Sequence, residues 1–240
     1  MNRTCSAACF VLLWPLGAAA EESVSTVSGS ASLATEYVFR GISQTEEKPQ
    51  LRAQVTWSHD IGFYAGVWSA NTHFGGPGNS IEIDPFIGFA NAIGDSRWRY
   101  DFGYWYYHYP GARSDIDYGE LYGILSYDLS PWKFQGSVWF APDYFGSDFF
   151  DDEPATAIQG GATYAFGNGF SLSAMLGTQT FDEPGGIPGQ DYLYWTIALA
   201  KSWDQLTFEL VGHDTDGVEP ELASEDISEE RLVARIMIEF

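Results

Sequence analysis

Apolar and polar residues alternate in one stretch after another of this chain. In the segment "PQLRAQVTWSHD", Leu51, Ala53, Val55 and Trp57 alternate with polar side chains. A period of two places successive side chains on opposite faces of a β-strand. Beyond the first twenty residues no stretch of useful length follows the 3.6-residue period of an amphipathic helix, so the pattern predicts an all-β protein.

Twelve segments show this alternation, and most have about nine to twelve residues, the length with which a tilted strand crosses a bilayer. They lie near 29–40, 50–59, 63–71, 80–91, 97–109, 115–128, 132–143, 155–166, 169–180, 190–203, 205–213 and 229–240. Odd-numbered connections between them are mostly long and rich in Gly, Pro and acids, whereas even-numbered ones are short. This asymmetry predicts a single transmembrane antiparallel up-and-down β-barrel of about twelve strands, with short periplasmic turns and long acidic extracellular loops.

The start of the chain has the pattern of a secretory signal peptide. A basic n-region precedes the short apolar run "CFVLLWPLGAAA", which ends in small residues at Ala20. We therefore expect residues 1–20 to be cleaved and residues 21–240 to form one barrel domain. Both cysteines, Cys5 and Cys9, lie in the cleaved segment, so the mature chain would use neither disulfides nor thiol chemistry.

Period two also occurs in soluble β-sandwiches and lipocalin-type barrels, and a secreted sandwich with an aromatic core remains the alternative. Two features favour the membrane barrel. The apolar faces are nearly free of charge, and aromatic residues such as Trp98, Trp132 and Trp203 lie at segment ends, where interfacial girdles form. We expect the apolar set to face outer-membrane lipid and the polar set to face the lumen.

An open sheet edge is excluded in hydrocarbon, because every backbone N–H and C=O needs a partner there. The first strand must therefore pair with the last. The alternating row at the end of the chain is predicted to close the barrel and to act as its assembly signal: Leu232, Ala234, Ile236, Ile238 and Phe240.

The formal net charge of -22 makes nucleic acid an unsuitable partner, because phosphate binding needs a basic surface. Most of the net negative charge falls in the predicted long loops, on Asp143, Asp148, Asp151, Asp152, Glu153, Asp182, Glu183, Asp214, Asp216, Glu219, Glu221, Glu225 and Asp226. They predict an acidic extracellular vestibule that concentrates cations at low salt.

The predicted inward faces carry both signs of charge in equal number. The charged lumen candidates are Glu36, Arg40, Arg52, Glu82, Asp84, Arg99, Asp101, Glu120, Lys133, Glu209, Arg231 and Arg235. The aromatic candidates are Tyr64, Trp68, Trp105, Tyr107, Tyr122, Trp139 and Tyr194. The charges set selectivity if they face one another at a constriction, or brace the barrel as interior ion pairs. The rings either stack on solutes or fill space.

No G-x-S-x-G, G-x-x-x-x-G-K-[ST] or H-E-x-x-H motif occurs, so the sequence predicts no enzyme. An outer-membrane hydrolase built from His213, Asp214 and Asp216 with Asp115 and Asp117 is the weakest alternative. No cofactor or dedicated metal site is expected, although loop carboxylates offer weak divalent-cation binding.

Two regions resemble a known family. The segment "SLATEYVFRGISQTEEKPQLRAQVTWSHDIGFYAGVWSAN" is similar to the N-terminal signature of the TorF-like porins, also designated Gcw_chp. The segment "YWYYHYPG" followed by "DYGELYGILSY" resembles the middle of that family and is less specific. The resemblance covers essentially the whole mature chain. It implies a proteobacterial outer-membrane β-barrel with a channel role and no catalytic residue, and Phe240 is similar to the C-terminal signal that the barrel-assembly machinery recognises.

The sequence therefore predicts a Gram-negative outer-membrane channel for passive diffusion of small hydrophilic solutes. A non-conducting structural or adhesion barrel is the main alternative.

Overall fold

The computed structural model describes residues 24–74, 78–150, 153–182, 191–220 and 222–240. In chain order the elements are β1 (Ser25–Ala34), β2 (Val38–Phe39), β3 (Ile42–Ser43), β4 (Gln50–His59), β5 (Phe63–Asn71), β6 (Ile81–Ala92), β7 (Trp98–Tyr107), β8 (Tyr118–Leu129), β9 (Trp132–Ala141), α1 (Gly146–Phe150), β10 (Ala155–Gly167), β11 (Phe170–Phe181), β12 (Tyr192–Trp203), β13 (Leu206–Asp216), α2 (Glu225–Ser228) and β14 (Arg231–Glu239).

Twelve of these strands form one closed antiparallel barrel in the order β1-β14-β13-β12-β11-β10-β9-β8-β7-β6-β5-β4. Each strand therefore pairs with its neighbours in the chain, except that β2 and β3 form a separate two-stranded sheet between β1 and β4. The predicted fold class is confirmed. Within the described ranges, no helix is long and apolar enough to cross a membrane.

Short and long connections segregate to opposite ends of the barrel. The short ones span 60–62, 93–97, 130–131, 168–169 and 204–205, whereas every connection at the other end is longer. Ser25 pairs with His59 beside the first short turn, so β1 begins at the short-turn end. We call this the turn end and the opposite end the loop end.

The outer surface is apolar along every strand. Val27, Leu121, Ile197 and Leu232 are 68%, 58%, 58% and 65% exposed, values that an ordinary soluble sheet would avoid. Large aromatic side chains ring the turn end: Trp57, Phe63, Trp98, Trp132, Phe170, Trp203 and Phe240 are all more than one-third exposed. The alternation therefore does put one apolar set outside and the polar set inside.

The seam between β1 and β14 closes the barrel. Its register runs from Ser30↔Glu239 to Ala34↔Arg235. Beyond the turn end of this ladder, Gly29 N–H donates to Phe240 O at 2.8 Å and Phe240 N–H donates to Gly29 O at 3.0 Å. A Cβ on Gly29 would lie 2.7 Å from Cε2 of Phe240, so the ring needs a glycine beneath it. The last residue is thus paired and packed.

The predicted first strand, 29–40, is wrong at both ends, because β1 starts at Ser25 and ends at Ala34. The chain instead turns back at Arg40 and Gly41, whose φ angles are +47° and +85°. Positive φ at both central residues defines a two-residue type I′ hairpin turn, which a straight strand cannot contain. Arg40 is consequently not a strand residue.

Candidate functional site: a hairpin inside the barrel lumen

The segment 35–49 between β1 and β4 folds into the barrel as a hairpin, which we call the lumen hairpin. Val38 pairs with Ser43 and Phe39 with Ile42 around the Arg40–Gly41 turn. At its base the Tyr37 N–H donates to Thr45 Oγ1 at 3.0 Å. These bonds satisfy backbone groups that would otherwise be stranded inside the barrel.

Arg40 at the tip of the hairpin binds two strands of the wall. Its Nη2 lies 2.7 Å from Glu120 Oε2 on β8, and its Nη1 donates to Gln179 Oε1 on β11 at 2.9 Å. The Tyr107 hydroxyl donates to the same Glu120 oxygen at 2.8 Å. Burial acts to lower the pKa of Arg40, but the carboxylate of Glu120, followed by nearby tyrosines, raises it well above its usual range. The guanidinium therefore stays charged inside the lumen.

A second ion pair holds the hairpin near its base. Glu36 Oε1 lies 2.6 Å from Arg231 Nη1 at the loop end of β14, and both side chains are more than nine-tenths buried. The same oxygen accepts the Glu47 N–H at 3.2 Å. Glu36 was predicted on the first strand, but the strand ends before it and the residue lies on the hairpin.

Ring contacts and close packing also hold the hairpin against the barrel wall. The Tyr37 ring lies 5.5 Å from Trp68 on β5, and the Phe39 ring lies 5.8 Å from Tyr107 on β7. Gly41 packs against Thr215 on β13, where a Cβ would collide with the threonine methyl. The hairpin therefore contacts the wall on several sides of the lumen and crosses it at the loop end.

The other predicted acids of this half lie on β6. Trp105 Nε1 donates to Asp84 Oδ2 at 2.9 Å, and the Tyr109 hydroxyl donates to Glu82 Oε1 at 3.2 Å. Tyr37 of the hairpin is also close enough to Glu82 to interact with it. Both carboxylates are 1% exposed, and within the described ranges neither belongs to an ion pair.

Two of the predicted bases lie on β4 and β14. The Nε of Arg235 donates to Glu209 Oε2 on the adjacent strand β13 at 2.7 Å. Among the side-chain hydrogen bonds of the described residues, Arg52 on β4 makes one, from its Nη2 to the sulfur of Met237 at 3.8 Å. Arg235 thus binds Glu209 directly, and the same carboxylate attracts Arg52 at longer range.

The remaining predicted charges lie towards the turn end. Asp101 accepts a hydrogen bond from the Tyr64 hydroxyl, which also bonds to the hydroxyl of Tyr122. Arg99 and Lys133 are half-buried on β7 and β9. Charged lumen candidates are therefore not gathered in one ring but occupy two levels of the barrel.

All the predicted aromatic lumen candidates are buried inside the barrel at exposures of 9% or less: Tyr64, Trp68, Trp105, Tyr107, Tyr122, Trp139 and Tyr194. Their rings pack on one another or on neighbours such as Phe86, whose ring is stacked 4.5 Å from that of Trp105. Tyr122 likewise stacks on Trp139 at 4.6 Å. In this conformation the rings fill space and offer little free surface to a solute.

Sequence reasoning missed an aromatic cap formed by the long connections at the loop end. The Phe145 ring lies 5.6 Å from Phe74 and 6.2 Å from Tyr109, so rings from three connections meet there. The Asp115 N–H donates to Asp148 Oδ2 at 2.8 Å and ties two of those connections together. Gln179 was missed as well, because it is uncharged. The "FRG" turn was the available signal for the hairpin.

The residues of the hydrolase alternative are divided between two parts of the barrel. His213 and Asp216 lie on β13, as does Asp214, which was predicted in a loop. Asp115 and Asp117 lie on the connection between β7 and β8, where His108 engages Asp117. Among the hydrogen bonds and ion pairs of the described residues, none joins the two groups.

The loop acids are otherwise dispersed. Asp216 is the last residue of β13, while Asp143, Asp148, Glu153, Asp182, Glu219, Glu225 and Asp226 lie on loop-end connections. Asp151, Asp152, Glu183 and Glu221 lie outside the described residues. Among the residues that are described, no group of three or more His, Cys, Asp or Glu side chains is placed to hold a metal ion. Weak divalent binding stays a prediction.

The apolar exterior, polar interior and infolded hairpin define the class as a porin-like twelve-stranded β-barrel. Similar solved structures include the NanC porin (TM-score 0.60, 12% identity, 90% of this chain and 99% of that chain). They also include the KdgM porin (0.56, 10%, 90% and 98%) and the COG4313 outer membrane channel from Pseudomonas putida F1 (0.50, 11%, 91% and 95%).

At these identities the likeness concerns the fold alone. The chain belongs to the bacterial family described as "Bacterial protein of unknown function (Gcw_chp)", whose sequence pattern it matches over residues 18–240. No curated protein sequence matches it.

Proposed function

We propose that the protein is an outer-membrane channel through which small hydrophilic solutes diffuse passively. The observation that carries this proposal is the closed barrel with an apolar exterior and a charged interior. Such a barrel satisfies every backbone group in hydrocarbon, and its polar interior suits the water-filled path of a pore. Similarity to porins and to an outer membrane channel supports the same function, as does the resemblance to the TorF-like porins.

In this proposal residues 1–20 direct export and are removed, and Phe240 serves as the assembly signal for the barrel-assembly machinery. The turn end faces the periplasm and the acidic loop end faces the outside, where it forms a vestibule that attracts cations at low salt. The lumen hairpin is the constriction of the channel. No catalytic residue is proposed.

A non-conducting structural barrel is the second candidate, and a specific observation favours it. The hairpin and the aromatic cap bury the inward residues of the loop-end half, including Tyr118, Glu120 and Ala157. A barrel closed permanently in this way would present its loops without transporting anything.

Reconstitution into liposomes separates the two candidates. A channel should release an entrapped neutral sugar in proportion to the amount of folded protein. A variant with both hairpin ion pairs removed, Glu36→Gln with Arg40→Met, should release it faster. Absence of release by both proteins, each folded as judged by heat-modifiable electrophoretic mobility, would favour the structural barrel.

A further inference from the structure

The loop-end half of the lumen carries a buried carboxylate and a buried guanidinium on opposite strands, Glu120 and Arg231. Glu82 and Asp84 lie on β6 and Glu120 lies on β8, and we call these three the acid wall. Arg52 on β4 and Arg231 on β14 form the base wall, on either side of β1. Since β8 lies half-way round the closed barrel from β14, Glu120 and Arg231 face each other across the lumen, whereas Arg52 on β4 is separated from the acids of β6 by β5 alone.

Among the described residues, Glu120 and Arg231 form ion pairs with the hairpin and not with the wall, whereas Arg235 beside Arg231 is paired with Glu209 of the wall. Among the ion pairs of the described residues, the only cation on the acid wall is Arg40, which comes from the hairpin. On the base wall, the only carboxylate bound to Arg231 is Glu36, which also comes from the hairpin. Arg52 forms no ion pair within those same residues, although Glu209 on β13 attracts it at longer range.

The hairpin therefore carries the charge that each wall lacks. Its carboxylate at Glu36 binds the base wall, and its guanidinium at Arg40 binds the acid wall. A segment with a negative group at one end and a positive group at the other occupies this space as a zwitterionic ligand would. The chain from Glu36 to Arg40 spans at most about 14 Å, the length of a short peptide.

We propose that the lumen hairpin stands in for the solute, and that the channel conducts short zwitterionic solutes of peptide-like size. The proposal rests on the proposed channel function and names its solute class. When the hairpin leaves its seat, the acid wall takes the ammonium or guanidinium end of the solute and the base wall takes the carboxylate end. A solute of a single charge sign meets repulsion at one of the two walls, as rings of charge produce in other pores.

Triglycine and its blocked forms test this, because they match in size and differ in one charge at a time. Triglycine is zwitterionic, N-acetyl-triglycine is an anion, triglycine amide is a cation, and the doubly blocked form is neutral. Liposomes containing the full mature barrel would be loaded with each form and its release measured at low salt. The same measurement uses Glu120→Gln, Arg231→Met and the hairpin variant Glu36→Gln with Arg40→Met. Arg113→Met and Asp95→Asn, which remove exposed charges from connections, are the matched controls.

In the wild-type and hairpin-variant barrels, triglycine should be released about two- to fivefold faster than either singly charged form, the range that one partly solvated ion pair provides. In the Glu120→Gln barrel, triglycine should be released no faster than N-acetyl-triglycine. In the Arg231→Met barrel, triglycine should be released no faster than triglycine amide. Both controls should keep the wild-type order. Release of all four forms at one rate, or in an order that the wall variants leave unchanged, would overturn the proposal and leave the channel function standing. No release of any form by any folded variant would overturn both.

Discussion

The guanidinium of Arg40 lies 2.7 Å from the carboxylate of Glu120, although one residue is on an infolded connection and the other is on the barrel wall. The side chains are 3% and 1% exposed, so the pair is sealed from bulk water. A buried ion pair that joins a connection to the wall determines where that connection sits. The Arg40–Glu120 ion pair thus holds the lumen hairpin in the seat that the structure describes.

Arg40→Met should destabilise the seated hairpin by about 3–5 kcal/mol, because it leaves a buried carboxylate without its cation. Lys48→Met is the matched control, since the Lys48–Glu46 pair is about half exposed and should contribute less than about 1 kcal/mol. Denaturant unfolding in detergent micelles, followed by tryptophan fluorescence, measures both. Equal effects of the two substitutions would show that the Arg40–Glu120 ion pair stabilises the protein no more than the exposed Lys48–Glu46 pair does.

Ala157→Cys provides a test of hairpin movement. Ala157 is 0% exposed and pairs in the register with Gln179 and Trp139, both of which lie against Arg40. A cysteine there should resist a membrane-impermeant thiol reagent in the otherwise wild-type barrel. It should react at least about tenfold faster when Arg40→Met and Glu36→Gln release the hairpin, as expected for a change from a closed to an open site.

The natural cysteines, Cys5 and Cys9, lie in the predicted signal peptide, so the mature barrel has no competing thiol. Rapid labelling of Ala157→Cys before the hairpin is released would contradict the described seating.

Gly29→Val should weaken the seam, because a side chain there collides with the Phe240 ring. The matched control is Gly160→Val on β10, where a Cβ has open space. Overpacking at Gly29→Val should cost about 1–3 kcal/mol. Heat-modifiable mobility should therefore show less folded barrel for Gly29→Val and no loss for Gly160→Val.

Deleting Phe240 should reduce insertion into the outer membrane more than it reduces the amount of exported chain.

Loop and lumen charges should differ in their response to salt. Neutralising Glu225, Asp226 and Glu230 on the last connection should reduce cation preference mainly at low salt, because the field of an exposed vestibule is screened over about 8–10 Å near physiological ionic strength. Arg235→Met changes a lumen charge and should alter selectivity at high salt too. Reversal potentials across a salt gradient give the measurement. The same salt dependence for both variants would refute this division of charge.

The barrel could be predicted from the sequence because a strand between lipid and lumen must alternate apolar, lipid-facing residues with polar, lumen-facing ones. The outward rows, such as Leu232 and Ile238, and the closure by Phe240 follow from the need to satisfy the backbone in hydrocarbon. In such a barrel each strand pairs with the strands next to it in the chain, so local sequence patterns suffice to predict the strand order. This is why the twelve-strand meander was predicted.

The interior could be predicted only in part, because side-chain contacts across a lumen are not determined by the hydrogen-bond pairing of neighbouring strands. Glu36 and Arg40 were identified as inward charges, yet nothing local pairs them with Arg231 and Glu120. The error at β1 came from extending an alternating pattern through "FRGI", where a turn with positive φ was the better interpretation. The aromatic candidates were correctly placed inside, but the cap that covers them was missed, because Phe145 packs on Tyr118 from a connection distant in sequence.

Single-channel recording in a planar bilayer tests the central claim, that this barrel is a channel constricted by its lumen hairpin. Wild-type protein and the variant with Glu36→Gln and Arg40→Met would be compared at the same salt concentration, after both are shown to be folded. The account predicts discrete conductance steps for the wild type and larger or longer-lived steps for the variant. Folded barrels that never conduct, or steps identical in the two proteins, would contradict it.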